Sequence, residues 1–201
     1  MAESNINDGA AERATLAILY AETRGFTRMS EILEPAIVLA RVAEFFAFVV
    51  AIVERHGGTV RSLLNDNLVA TFTGPANASH AVDAAQEIQR DFAAIETAWE
   101  RDYSFRTAVA MGLHYGDAVI GKLGSPLPAQ TLIIGDGLSI AERLLHRARA
   151  GELVLSKAVM TMLEADGVAL EVEQLPELAI PRREPIPLYG VLLDTRLDFT
   201  D

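Results

Sequence analysis

Residues 60–73 read Val60-Arg61-Ser62-Leu63-Leu64-Asn65-Asp66-Asn67-Leu68-Val69-Ala70-Thr71-Phe72-Thr73. Two runs rich in aliphatic and β-branched residues, Val60–Leu64 and Leu68–Thr73, flank Asn65-Asp66-Asn67. Such runs broken by Asn and Asp predict a β-hairpin with a carboxylate at its tip. A hairpin forces antiparallel pairing. Upstream, Gly57-Gly58 closes a helix predicted over Ala36–Glu54, with Pro35 in its first turn. Its apolar residues fall on most faces, which predicts burial against a sheet or a second subunit. Earlier still, Thr15–Tyr20 (TLAILY) reads as a buried strand, and Gly25 precedes a polar helix opening at Thr27, Ser30 and Glu31.

Downstream, apolar residues at 81, 82, 85, 88, 92 and 95 predict an amphipathic helix over Ala78–Ile95. Arg106–His114 and Ala118–Ile120 read as a second hairpin around Tyr115-Gly116-Asp117. A strand over Thr131–Ile134 and a helix over Gly137–Ala150 follow, then strands at Leu153–Leu155, Ala169–Val172 and Pro187–Leu193. Hairpins combined with helical crossovers predict an α+β fold: a ferredoxin-like, mixed or antiparallel sheet with helices mainly on one face. The expected organisation is a flexible arm over 1–13, one domain over 14–195 and a tail over 196–201.

The chain has 201 residues, half of them apolar, no cysteine and a formal charge of −11. Disulfides, thiolate metal sites and thiol nucleophiles are therefore excluded. An acidic surface repels polyphosphate, so no nucleic-acid partner is expected; Arg143, His146, Arg147 and Arg149 form too small a basic group for a groove. Met1–Arg13 lacks an export signal, and the longest uninterrupted apolar run, Phe45–Val53, falls short of the ~20 residues of a membrane span. A cytoplasmic domain without a membrane span is expected.

Four segments in order resemble the class III adenylyl and guanylyl cyclase catalytic domain. They are Tyr20-Ala21-Glu22-Thr23-Arg24-Gly25-Phe26-Thr27; His56-Gly57-Gly58 with Asn65-Asp66 and Leu68–Phe72; Gly112-Leu113-His114-Tyr115-Gly116-Asp117 through Gly121–Ser125; and Ile134-Gly135-Asp136 with Ala141 and Arg143-Leu144. The resemblance covers about residues 15–190. It implies a head-to-tail dimer with sites at the interface. There, two aspartates of one subunit hold two Mg²⁺ or Mn²⁺ ions, and an Asn and an Arg of the other steady the ribose and the transition-state charge.

Carried onto this sequence, the metal positions fall on Glu22 and Asp66, and the transition-state arginine on Arg143. The phosphate-binding loop falls on Thr23, Arg24, Gly25, Phe26 and Thr27. Several positions depart from the family pattern. Glu22 replaces an aspartate, Asn65 a glycine, Ser62 the base-reading lysine and Ser139 the ribose-binding asparagine. The second base-reading position falls on Leu132, or on Thr131 if the register shifts by one residue. Arg61, beside Ser62, is expected to point to the opposite face of its strand.

These departures imply an impaired or inactive cyclase serving as a regulatory, dimerising or ligand-binding module, its ligand a purine nucleotide or another small molecule. The alternatives are an active cyclase of unusual subtype, using Mg²⁺ or Mn²⁺, and one half of a heterodimer with an intact cyclase. A diguanylate-cyclase reading lacks its Gly-Gly-acid-acid-Phe signature at the hairpin tip. Blander roles are also expected: Arg143 paired with Glu142 or Asp136, His114 bonded to backbone, Gly121–Ser125 as a turn, and Phe45, Phe46 and Phe48 as packing. His56, His80 and His146 show no metal-ligand spacing.

Overall fold

The computed structural model describes residues 11–123 and 130–192. Residues 1–10 of the expected arm, the tail, and positions 124 and 125 of the expected turn lie outside these residues; Gly121, Lys122 and Leu123 are no turn but the end of a strand.

The first strand, β1 (Glu12–Arg24), organises the rest. It pairs antiparallel with β3 (Asn67–Phe72) on one side and with β4 (Ala108–Leu123) on the other. Leu16, Ile18 and Tyr20 face one core cluster, while Ala17, Leu19 and Ala21 face the second. A strand buried on both faces needs no polar alternation, which explains the continuous TLAILY run. Strand β1 begins at Glu12, so residues 12 and 13, expected in the arm, are paired instead with Ile120 and Val119.

The remaining elements are α1 (Phe26–Ile32), α2 (Pro35–Arg55), β2 (Thr59–Leu64), α3 (Asn77–Tyr103), β5 (Gln130–Ile134), α4 (Asp136–Arg147), β6 (Glu152–Ser156), α5 (Lys157–Ala165), β7 (Glu173–Leu178) and β8 (Ile186–Leu192). The sheet order is β2-β3-β1-β4-β6-β8-β7, with β5 pairing β4 off this path. Only β4 and β6 run parallel; every other pairing is antiparallel. Helices α2, α3 and α5 cover one face and α4 the other. The expected α+β sheet with helices mainly on one face is the observed fold.

Several expectations need correction. Tyr115-Gly116-Asp117 is no turn: β4 runs through it, paired with β1 from Glu12↔Ile120 to Arg24↔Ala108. Asp117 is held in place by Thr15 Oγ1 at 2.6 Å and Arg13 Nη2 at 2.8 Å. The strand expected at 169–172 is absent, and the edge strand β7 starts at Glu173 instead. Its exposed Glu, Gln and Pro residues carry no hydrophobic alternation, as an edge position allows. Helix α5 was not anticipated. Its buried residues, Val159 and Leu163, occupy one face of a single short helix.

Helix α2 is not buried all round. Phe45, Val49, Ile52 and Val53 are buried, whereas Leu39 is 71% exposed. By length and composition this helix is apolar enough to cross a membrane, contrary to the expectation from Phe45–Val53 alone, although a core helix meets the same criterion. Its inner face packs on α3, where Phe45 and Phe92 meet edge to face at 6.0 Å and Trp99 Nε1 donates to Glu44 at 2.9 Å. Helix α3 runs to Tyr103, beyond the expected Ile95, because Trp99 continues the apolar stripe.

Helix α4 lies very close to β4. A Cβ added at Gly112 would stand 2.2 Å from the Leu145 nitrogen and 2.5 Å from the Ala141 oxygen, both backbone atoms that cannot yield. Gly112 therefore sets how deeply α4 sits on the sheet. Two residues further along β4, His114 is buried, and its Nδ1 lies 2.8 Å from Ser156 Oγ on β6 rather than on backbone.

Burial pushes the His114 imidazole down from 6.5 to about 4, against a smaller upward pull from Asp136. Between those values the unfolded chain takes up a proton that the folded chain refuses, so stability falls as pH drops through this window and is unaffected above it. The shift corresponds to about 3 kcal/mol in total. Denaturant unfolding of the protein and of His114→Gln between pH 7 and 4 should show the wild type losing about that much relative to the variant. Parallel curves would refute the assignment.

Candidate active site

Register brings the two acids together. Glu22 on β1 pairs with Asn67 of β3, the residue next to Asp66, and the Thr23 N–H donates to the Asp66 carbonyl at 3.4 Å. Asn65 opens the two-residue hairpin turn at φ +56°, a conformation Asn tolerates better than most residues, so the loss of the glycine leaves the turn intact. Burial raises the Glu22 carboxyl above its ordinary range, with Asp66 adding to the rise and Arg24 and His146 opposing it. Burial likewise raises Asp66, against its own backbone N–H and Arg24. Each acid thus feels the same nearby guanidinium.

That guanidinium is Arg24, expected in the phosphate-binding loop. It lies on the same strand face as Glu22 and is committed elsewhere. Nη1 donates to Glu22 Oε1, while Nη2 donates to the Leu145 and Ala148 carbonyls, each at 2.8 Å, at the C-terminus of α4. A cation there also meets the negative end of the α4 dipole. Gly25 (φ +88°) precedes α1, Phe26 packs on the core, and the buried Thr23 hydroxyl has no partner among the described residues. Thr27 stands in the first turn of α1.

The residues present do not fit a divalent ion as they stand. No group of three or more His, Asp or Glu converges among the described residues. A metal at Glu22 would first have to displace a guanidinium that holds three acceptors. Strand periodicity could have signalled this, since Glu22 and Arg24 are two residues apart and share a face.

Ser139 and Arg143 lie one turn apart on the exposed side of α4, whose buried residues are Gly137, Ile140, Ala141, Leu144 and Leu145. Arg143 has no ion-pair partner among the described residues. Asp136, one of its expected partners, is bound by Arg183 instead. Ser139 and Arg143 are thus presented outward.

The base-reading positions converge. Ser62, Thr131 and Leu132 line one groove of about 640 Å³ between β2 and β5, together with Tyr20, Thr59 and Arg61. Both Thr131 and Leu132 reach it, so neither register is excluded. Burial, followed by the charge of Glu142, pushes the Tyr20 phenol up to about 12, which keeps it protonated. The expectation for Arg61 is overturned. The β2–β3 register passes from Val60↔Ala70 to Ser62↔Val69, so Arg61 is an extra residue with no partner across the ladder. A bulge breaks the alternation of side chains. Arg61 consequently shares the face of Ser62, and its Nε donates to Thr71 Oγ1 at 2.8 Å.

Relatives agree with this architecture. The adenylate cyclase of Anabaena cylindrica is 28% identical over 146 residues, covering 70% of this chain and 28% of that protein. Adenylate cyclase 1 of Rhizobium meliloti (strain 1021) is 27% identical over 139 residues, covering 67% of this chain and 21% of that protein. This chain therefore spans only about a quarter of the length of these relatives. The adenylyl cyclase CyaB from P. aeruginosa superposes with a TM-score of 0.83 at 21% identity, over 93% of this chain and 98% of that one. The guanylyl cyclase Cya2 superposes with a TM-score of 0.79 at 22% identity, over 90% and 92%. At such identities these likenesses establish the fold. The family model for the adenylate and guanylate cyclase catalytic domain matches residues 10–191, and the chain belongs to that family.

Proposed function

We propose that this domain is a cyclase-family module with little or no turnover, acting through dimerisation and ligand binding in cyclic-nucleotide signalling. The observation that carries this reading is the Arg24 guanidinium on Glu22. The family uses divalent ions, and here a side-chain cation already neutralises one of the two acids that would hold them. Ser62, Leu132 and Ser139 add to it, because each replaces a group that would contact base or ribose. Losing one transition-state donor costs about 3 kcal/mol, or roughly a hundredfold in rate, and several such losses are not additive.

The direct test is incubation of the purified protein with ATP or GTP and Mn²⁺. The expected result is no 3′,5′-cyclic product above the no-protein background. Cyclisation that disappears in Asp66→Ala would refute the proposal and establish the active-cyclase alternative.

Arg24→Ala tests the role of the internal cation. Removing it leaves two half-buried acids without their neutralising neighbour, at a cost of about 2 kcal/mol or more. The variant should melt below the wild type in EDTA and recover with millimolar Mn²⁺, while the wild type gains little from the metal. Equal Mn²⁺ responses would show that Arg24 does not block the site.

A second reading is favoured by one observation: Arg143, exposed on α4 and without an ion-pair partner among the described residues, is available to a facing subunit. The non-canonical dimeric guanylyl cyclase domain of the RhoGC fusion protein from Blastocladiella emersonii shares the fold, with a TM-score of 0.77 at 17% identity, and supports dimerisation of such folds rather than one arrangement of the two subunits. In a head-to-tail dimer with an intact cyclase, Arg143 would complete the partner's site. Activity of such a mixture that exceeds either chain alone and falls at least tenfold with Arg143→Ala would support it. Equal activity with Arg143→Ala would exclude it.

A further inference from the structure

The groove between β2 and β5 has lost its expected lysine at Ser62, yet it is not without a cation. Arg61 enters it through the bulge, and its orientation is fixed by the 2.8 Å bond from Nε to the buried Thr71 hydroxyl. That bond uses the one guanidinium N–H that lies off the terminal fork. Among the described residues Nη1 and Nη2 meet no acceptor, so a planar pair of donors is left for a ligand. Among the described residues no carboxylate lines the groove to compete for them. The other polar groups are the hydroxyls of Tyr20, Thr59, Ser62 and Thr131, and the walls include Val60, Val69 and Leu138.

A groove that combines aliphatic side chains, hydroxyls and a fixed two-donor fork suits a planar heterocycle with two adjacent acceptors. Guanine offers that pair as O6 and N7, the edge a guanidinium reads bidentately. Adenine offers N7 beside an amino group, which sets a donor against a donor. A guanidinium makes this discrimination and an ammonium does not, because only the former presents parallel N–H bonds. We infer that Arg61, carried into the base groove by the β2 bulge, makes this domain selective for guanine-type nucleotides over adenine nucleotides. The inference rests on the ligand-binding part of the proposed function and does not depend on whether turnover occurs.

Calorimetric titration of the full chain with GMP, IMP and AMP tests it. IMP keeps O6 and N7 and lacks the 2-amino group, so it should follow GMP. Both should bind about tenfold more tightly than AMP, the scale of one bidentate base contact. Arg61→Ala should reduce GMP and IMP to the level of AMP while leaving AMP within about twofold. Arg61→Lys should lose most of the preference although the charge is kept, and it decides the matter if Arg61→Ala does not fold. AMP binding as tightly as GMP, a preference that survives both substitutions, or no nucleotide binding at all would overturn the inference. So would inorganic pyrophosphate binding with the same dependence on Arg61, since the fork would then read anions alone. Cyclic product in the turnover assay would refute the non-catalytic reading and leave this inference standing.

Discussion

The double-sided burial of β1 is the constraint from which the site follows. With Leu16, Ile18 and Tyr20 locked into one core and Ala17, Leu19 and Ala21 into the other, β1 cannot slip relative to β3 or β4. A one-residue slip would exchange every side chain between the two clusters. Fixed register sets Glu22 opposite Asn67, and the two-residue turn then delivers Asp66 beside it. Two carboxylates are held together by the hydrophobic effect acting many residues away. Their mutual repulsion is a cost the core covers.

Nature has two ways to settle such a pair: bring in a metal, or bring in a side-chain cation. Arg24 is the second. It is reached by the same alternation that buries Tyr20, since residues 20, 22 and 24 of β1 share a face. The α4 carbonyls that anchor its other nitrogen lie close because Gly112 lets α4 settle onto β4. A methyl group at Gly112 would lift the helix and loosen the anchor. The ion pair is therefore a product of packing, which also keeps the two acids close together.

Much of the architecture was readable from sequence because local signals agreed with tertiary ones. The Asn-Asp hairpin, the Gly57-Gly58 helix end and the β1 run all emerged as written. The failures share a physical cause. Gly116-Asp117 carries turn chemistry yet lies mid-strand, because pairing with the long β1 outweighs local propensity. The edge strand β7 and the short helix α5 bury too few residues to impose a period. At the site, Glu22, Asp66, Ser62 and Leu132 could be placed by resemblance. The partners of Arg24 and Arg61 could not, because one depends on carbonyls more than a hundred residues away and the other on a bulge.

Counted back from the hairpin turn through Ser62↔Val69, regular pairing would set Val60 opposite Thr71 and Arg61 opposite Ala70, where α2 and α3 pack and a guanidinium would lose its water without gaining partners. The bulge removes that cost by turning the residue toward Thr71 and the groove. It also sets Val60 opposite Ala70 and onto the α2–α3 core. One unpaired backbone position is exchanged for a desolvation penalty avoided and a charge delivered to the ligand slot. The same step that keeps the core dry gives the groove its one cation among the described residues, so packing and groove charge cannot be altered independently at this point of β2.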